Sequence, residues 1–545
     1  MRRHTLMLIG LTLAVVGPVE AGTFSRAPIA PDQGVEVFNR DVARAQVGRD
    51  LFANPYATET ISHVDVYDRF PYVESRQFEV VSDPRWNRLV FGERGGSLHA
   101  FDGRGTALGA LAGPHGMAVD ENDRLYVADT DNDRIVVLQA STEHGEMTLE
   151  PCFAIGGLAH PFDVAYSDGG TPFERGDDRL YVADAGRNRV VALAIDANEG
   201  RVQATLGDLG GGTGRFAGPL AIAVGRDGHA DTHDVFVADA HNRRIVRLHD
   251  DGDALRWVSE AHDDAEVVTS LDTDQWGNVY AAAPQQGVVR KYSPDLAPVA
   301  ELRDGLVRPR GFHVPFQTLH DHRDGTVARL GQPNGVTIDE WSSSGIRLWN
   351  LGLEVRDLKV TPGADASARF TLTDRASVAV DVTDLATGRT IAHRVVGALP
   401  AGAHTLGLGD DLRGTSDLDL GLRVTAASSY ANGPSAVAQA SFRDDGADVT
   451  LPSQPRLFAN APNPASPTTR FSFLLPAQPQ GAVSLAVFDA QGRRVRTFDP
   501  RFAPGLNDVA WDGADDHGHP AQAGVYFYRL EVGDVRLSRR MVLVR

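Results

Sequence analysis

One turn, written three times, limits what this chain can fold into. LYVADTDNDRIVVL begins at Leu125, LYVADAGRNRVVAL at Leu180 and VFVADAHNRRIVRL at Val235. In each, an apolar run ends in an aspartate (Asp129, Asp184, Asp239). An arginine follows five residues later (Arg134, Arg189, Arg244), and a second apolar run begins at once. Runs this short, joined by brief polar turns, read as antiparallel strands rather than helices. An aspartate closing a strand can accept turn amides, and the arginine can cross to a neighbouring carbonyl or carboxylate. These six residues therefore read as staples of the fold, not as catalytic pairs. A further apolar strand precedes each turn: Met117-Ala118-Val119, HPFDVAY from His160, and GPLAIAV from Gly218.

Weaker copies extend the series. LVFGERGGSLHAF (Leu89 to Phe101) aligns with a turn one residue shorter. GNVYAAAPQQGVVRKY (Gly277 to Tyr292) has Ala283 in the aspartate slot, and VTIDEWSSSGIRLW (Val336 to Trp349) has Glu340 there. Six copies result, with second strands marked at 89, 125, 180, 235, 279 and 336 and uneven connections between them. With its YVAD…N.R[IV] core, the series resembles the NHL-repeat family. That resemblance implies four-stranded blades around a central axis over residues 70–352. Radial closure leaves short strands few exposed edges. The ring is expected to seal through an early strand within Val35 to Val80. No fold is assigned to residues 22–69.

Basic residues Arg2, Arg3 and His4, the apolar run Thr5 to Val16 and the small residues of Val19-Glu20-Ala21 predict a signal peptide over 1–21, hence export. The run is too short to span a bilayer, and no later stretch approaches the needed length. The 545 residues exceed a single core. A net charge of −19 argues against a nucleic-acid partner or an anionic membrane surface. Cys152 is the lone cysteine, so no internal disulfide forms. Beside Phe153 and Ile155 it reads as a small buried apolar residue.

Beyond residue 352 strands persist but the repeat ends. Residues 353–446, with the hairpin SVAVDVTDLATGRTIAHRVV from Ser377, predict an immunoglobulin-like sandwich, and 447–459 a linker. Residues 460–545 open NAPNPASPTTRFSFLLP, continue VSLAVFDAQGRRVRTF and WDGADDHG, and end in GVYFYRLEVG and RRMVLVR. They resemble the C-terminal sorting domain of type IX secretion cargo, related to the immunoglobulin-like domain of flagellar hook-capping (FlgD) proteins. The resemblance implies an outer-membrane secretion machinery as partner and an extracellular or outer-surface destination. Asp512, Asp515 and Asp516 suit either a hydrogen-bonded turn or Ca²⁺, and the turn is the favoured reading. The whole chain is thus expected to be all-β, a six-bladed propeller followed by two immunoglobulin-like sandwiches.

Propellers bind ligands where the innermost strands begin. Alignment places Gln77, His115, Phe162, Leu220, Thr269 and Arg310 at that ring position. Amidating lyases of the NHL family hold zinc with histidines there, and zinc catalysis needs about three protein ligands. Only His115 supplies an imidazole in this ring, which weakens an enzyme reading. His313 with His320 and His322 forms a second metal candidate in an insertion of the sixth copy. Lactonase-like propellers hold Ca²⁺ with tunnel carboxylates, for which Asp163 and Asp272 are available. The expectation is a binding protein with a protein or glycan ligand and no resident cofactor. A Zn²⁺- or Ca²⁺-dependent lyase or hydrolase is the alternative.

Overall fold

The protein is all-β. The computed structural model describes residues 35–39, most of 57–302, the strands between 312 and 350, and most of 353–443 and 452–544. Only backbone is described for 35–39, 62–67, 72–77 and 316–350. Among these residues six sheets form between Val35 and Asn350. The second sheet sets the pattern. Pro114–Val119, Arg124–Asp129, Arg134–Ser141 and Thr148–Ile155 pair antiparallel in chain order from inside to outside. Each sheet's inner strand packs against the next sheet's: Thr58–Tyr67, Pro114–Val119, Pro161–Ser167, Pro219–Asp227, Ser270–Thr273, Phe312–His313, and back to the first. The early strand that seals this cycle is Val35–Asn39, antiparallel on Gly345–Asn350 at the outer edge of the last sheet.

The repeated turn is built as its chemistry demands. Arg134 Nε donates to Asp129 Oδ2 at 2.7 Å, Arg189 to Asp184 at 2.7 Å and Arg244 to Asp239 at 2.8 Å. Each aspartate's other oxygen accepts an amide of the preceding loop, from Ala112, Ala159 and Ala217. The turn also places Asp133, Asn188 and Arg243 at φ of 55°, 52° and 53°. That left-handed backbone costs a residue with a side chain about 1 kcal/mol, and the buried bidentate aspartate offsets it.

The first copy lies one strand away from its sequence alignment. Leu89 belongs to Arg88–Glu93, the third strand of its sheet, and Tyr72–Asp83 is the second. A fourth staple sits here, Arg88 Nε to Asp83 Oδ2 at 3.0 Å, with Asn87 left-handed between them. Pro84 and Trp86 disguise the motif in the sequence. Glu340 falls inside Thr337–Ser342, opposite Arg347, rather than at the strand's end. Cys152 is exposed, not buried. Val137 pairs with Phe153 and Leu138 with Pro151, so Cys152 is the extra residue of a bulge and is turned out of the ladder.

Two sandwiches follow. The first packs Val355–Thr361, Ser367–Leu372 and Gly402–Gly407 against a four-stranded sheet, around Phe370, Val380 and Leu422. The second packs Arg456–Leu457, Thr469–Leu475 and Gly505–Trp511 against Arg494–Phe498, Val483–Asp489, Gly524–Val532 and Val535–Leu543. Its core is aromatic: Phe471 stacks on Tyr528 at 4.5 Å, beside Trp511. Leu385 of the first sandwich meets Phe458, Leu474 and Leu506 of the second, and Arg423 pairs with Asp508 at 3.1 Å. Asp512, Asp515 and Asp516 each accept backbone amides, from Ala514, from His517 and His519, and from Thr497.

Candidate functional site

Where the inner strands begin, three of them carry a bulge. In the second sheet His115 and Gly116 oppose Ala128 alone. In the third Phe162, and in the fourth Leu220, is the unpaired residue between Pro161 and Asp163 and between Pro219 and Ala221. A bulge re-aims a side chain without ending the strand. So the ring position inferred from alignment coincides with a repeated backbone irregularity. Thr269 occupies the equivalent end of the fifth sheet, its amide on Ala282 O just ahead of Ser270–Thr273. Gln77 does not belong to the ring. It lies in the second strand of the first sheet, opposite Ser62, a consequence of the one-strand displacement. Arg310 and His322 lie outside the described residues, as do residues 1–21.

His115 and Phe162 meet. Their rings stack with centroids 4.3 Å apart and planes 30° from parallel, both half-buried. His115 Nδ1 lies 2.7 Å from Gly113 O and 3.0 Å from Thr130 Oγ1. Burial pushes its pKa below the usual imidazole range, so near neutral pH the ring is uncharged.

Four ionisable groups of the inner strands also converge. His313 Nδ1 lies 3.0 Å from Asp272 Oδ2 and 3.7 Å from Glu59 Oε2. Asp163 stands close enough to Glu59 and Asp272 to feel both charges. Each belongs to a different inner strand, in the sixth, fifth, first and third sheets. The two aspartates also hold the ring together. Asp163 Oδ2 accepts the Ile222 amide at 2.9 Å and Asp272 Oδ2 that of Val314 at 2.7 Å, each from the next sheet. Gly116 makes room for this, since a Cβ there would overlap the Asp163 carboxylate.

Their protonation diverges. Burial holds Asp163 well above the usual carboxylate range, and the charges of Glu59 and Asp272 push it the same way. Burial opposes ionisation of Asp272 too, but the hydrogen bond and charge of His313 draw it below the usual range. Of the sequence candidates, Asp163, Asp272 and His313 are brought together. His320 lies in Phe316–Asp321, a strand that adds in parallel to the extended inner strand Thr58–Tyr67 of the first sheet. Glu59 is the residue the alignment missed, because the displaced first copy hid its inner strand. Among the described residues no group of three or more His, Cys, Asp or Glu is arranged to hold a metal ion.

The NHL repeat family matches residues 111–138, across the first three strands of the second sheet, and the FlgD Ig-like domain family matches residues 463–534. The chain carries an NHL repeat and a FlgD Ig-like domain. No curated protein matches the sequence. Among solved structures, a streptogramin B lyase is 11% identical with a TM-score of 0.31, covering 54% of this chain and 97% of its own. The virginiamycin B lyase of Staphylococcus aureus is 10% identical, TM-score 0.33, covering 59% and 92%. Regucalcin of Agrobacterium tumefaciens, a calcium-binding protein, is 12% identical, TM-score 0.30, covering 55% and 95%. These likenesses carry no argument about ligand or activity.

Proposed function

We propose that this is an exported six-bladed NHL-type propeller that binds a protein or glycan ligand at the mouth of its central channel, its tail directing passage to the outer surface. The observation that carries the reading is the His115–Phe162 stack, set by consecutive bulges at the start of two inner strands. A half-buried, uncharged aromatic pair is a rigid surface on which a sugar face or an apolar side chain can pack. The carboxylates beneath it are tied to the amides of neighbouring strands, which suits a scaffold. The test is a glycan array and an array of surface proteins probed with the full chain, repeated with Phe162→Ala. Loss of the captured ligand by that variant supports the mouth as the site; undiminished capture removes it.

A second reading, a metal-dependent hydrolase or lyase, draws on the convergence of Glu59, Asp163, Asp272 and His313. Purified chain with stoichiometric calcium or zinc, lost in His313→Ala, together with turnover of a lactone or an amidated-peptide precursor, would favour it over the first.

A further inference from the structure

The solvent face of the second sandwich is unlike the rest of the molecule. Residues 460–545 hold ten arginines and eight acidic residues, a net +2 in a chain of −19. Several of those arginines gather on one sheet. Across its four adjacent strands the pairing register aligns Arg494, Phe488, Phe527 and Arg540 in one row. Phe527 is 38% exposed and its strand neighbour Val525 40%. Arg529, one step along the strand face, lies 4.5 Å over the Phe488 ring. Neither Arg494 nor Arg540 has an ion-pair partner among the described residues, and both are exposed.

Strands normally alternate apolar inside and polar outside, and here the inner positions Leu485, Val487, Tyr528 and Leu530 are fully buried. Two phenyl rings on the outer side are therefore not required by the core. The sandwich meets its neighbour through the opposite sheet, by Leu474, Leu506 and Asp508. The row consequently faces away from the first sandwich. Unpaired guanidinium groups match phosphate in geometry and charge. Aromatic and arginine side chains together are the pair that settles at a headgroup layer.

We propose that this face docks on an anionic lipid surface, with Arg494 and Arg540 on headgroup phosphates and Phe488 and Phe527 against the layer between them, while Arg529 stays over the Phe488 ring in its 4.0 Å pair with Glu531. The acidic propeller is thereby held off a surface that would repel it. Whole-chain charge, which argued against an anionic membrane, averages over two regions of opposite sign. The inference is independent of what the channel binds.

The full chain is sedimented with phosphatidylglycerol-containing vesicles and with pure phosphatidylcholine vesicles, at low and physiological salt. Binding to the anionic vesicles alone, weakened by salt, is expected. Each basic residue near such a surface contributes about fivefold, so Arg494→Gln with Arg540→Gln should weaken binding about 25-fold. Phe527→Ser should weaken it further, while Arg201→Gln on the propeller should leave it unchanged. All these positions are exposed, and an unaltered far-ultraviolet circular dichroism spectrum and melting temperature verify the fold. No sedimentation with anionic vesicles at low salt overturns the proposal, as does equal binding to neutral vesicles or undiminished binding by the double arginine variant. Capture of a purified acidic protein in preference to vesicles, abolished by the same variant, would assign the face to a protein partner and overturn it too.

Discussion

Lys291 Nζ lies 3.2 Å from Asp374 Oδ1, joining the fifth sheet of the propeller to the first sandwich by a pair almost removed from water. Asp274 Oδ2 stands 3.6 Å from the same ammonium, and the Tyr280 ring lies 5.2 Å from it. One of the chain's two lysines is thus held between two buried carboxylates. Arg375 reinforces the junction over the Trp276 ring at 4.3 Å. Removing the cation leaves Asp374 buried without its counter-charge, a loss that typically costs about 3–5 kcal/mol, whereas Asp274 keeps its hydrogen bonds from Asn278 and Tyr280. Lys291→Met should lower the calorimetric melting temperature and separate the propeller and sandwich transitions. A single transition at the original temperature would show that the pair does not couple the domains.

The staples make an unequal prediction. Asp184 accepts two hydrogen bonds, from the Arg189 guanidinium and the Ala159 amide, with Arg187 in a looser ion pair at 3.8 Å, and its side chain is fully buried; Arg189 is about one-quarter exposed. Asp184→Ala leaves the arginine and an amide without their acceptor, a loss of about 3 kcal/mol or more. Arg189→Ala can draw water to the carboxylate, and its cost should be about half as large. Urea titrations of the two variants measure the difference, and equal costs would contradict the two-partner role.

Stability should fall as pH rises from about 4 to 8. Burial, the largest cause in each case, raises Asp83 and Asp120 to about 6 and Asp178 to about 7. For Asp178 the charges of Glu121 and Asp120 add to it. In that window the native state binds more protons than the unfolded chain, so each unit of pH weakens folding. Asp178→Asn removes one such proton. It should stabilise the protein at pH 8 by on the order of 1–2 kcal/mol and flatten the profile, read by thermal melts from pH 5 to 8. A variant less stable than the parent at pH 8 would count against this account.

The staples at Asp129, Asp184 and Asp239 were legible because the turn is local: six residues contain both partners and the left-handed position. Asp83 and Arg88 obey the same spacing, but Pro84 and Trp86 replace the polar turn residues, so the eye aligns the next strand instead. Glu59 was illegible for a different reason. Its neighbours Asp163, Asp272 and His313 come from three other sheets, and only the register of inner strands brings them together. Cys152 shows the same limit at one residue, where a bulge overrode alternation.

Gly116 tests whether the channel depends on that register. Its missing Cβ admits the Asp163 carboxylate, which in turn holds the Ile222 amide of the next inner strand. Gly116→Ala should push Asp163 aside, at a cost of about 1–3 kcal/mol for an overpacked buried site. Pairing it with Asp163→Ala should recover only the part of the loss due to the carboxylate, because the added methyl still meets the residue 163 Cα at 2.6 Å. Additive losses in the double variant would show that the two residues do not share the contact.

The tail should separate cleanly from the propeller. Its core of Phe471, Trp511, Tyr528 and Leu530 is its own, and its contact with the first sandwich rests on Leu385, Phe458, Leu474, Leu506 and the Arg423–Asp508 pair. Deleting residues 460–545 exposes Leu385 and leaves Arg423 with Asp381 as its remaining partner, but touches nothing in the ring. The propeller's melting transition should survive, while the truncated chain collects in the periplasm instead of the outer surface or medium. Cell fractionation with surface protease treatment separates those outcomes. A truncated chain that reaches the outside at the parent's level would mean that the FlgD Ig-like domain spaces the propeller and has no part in sorting it.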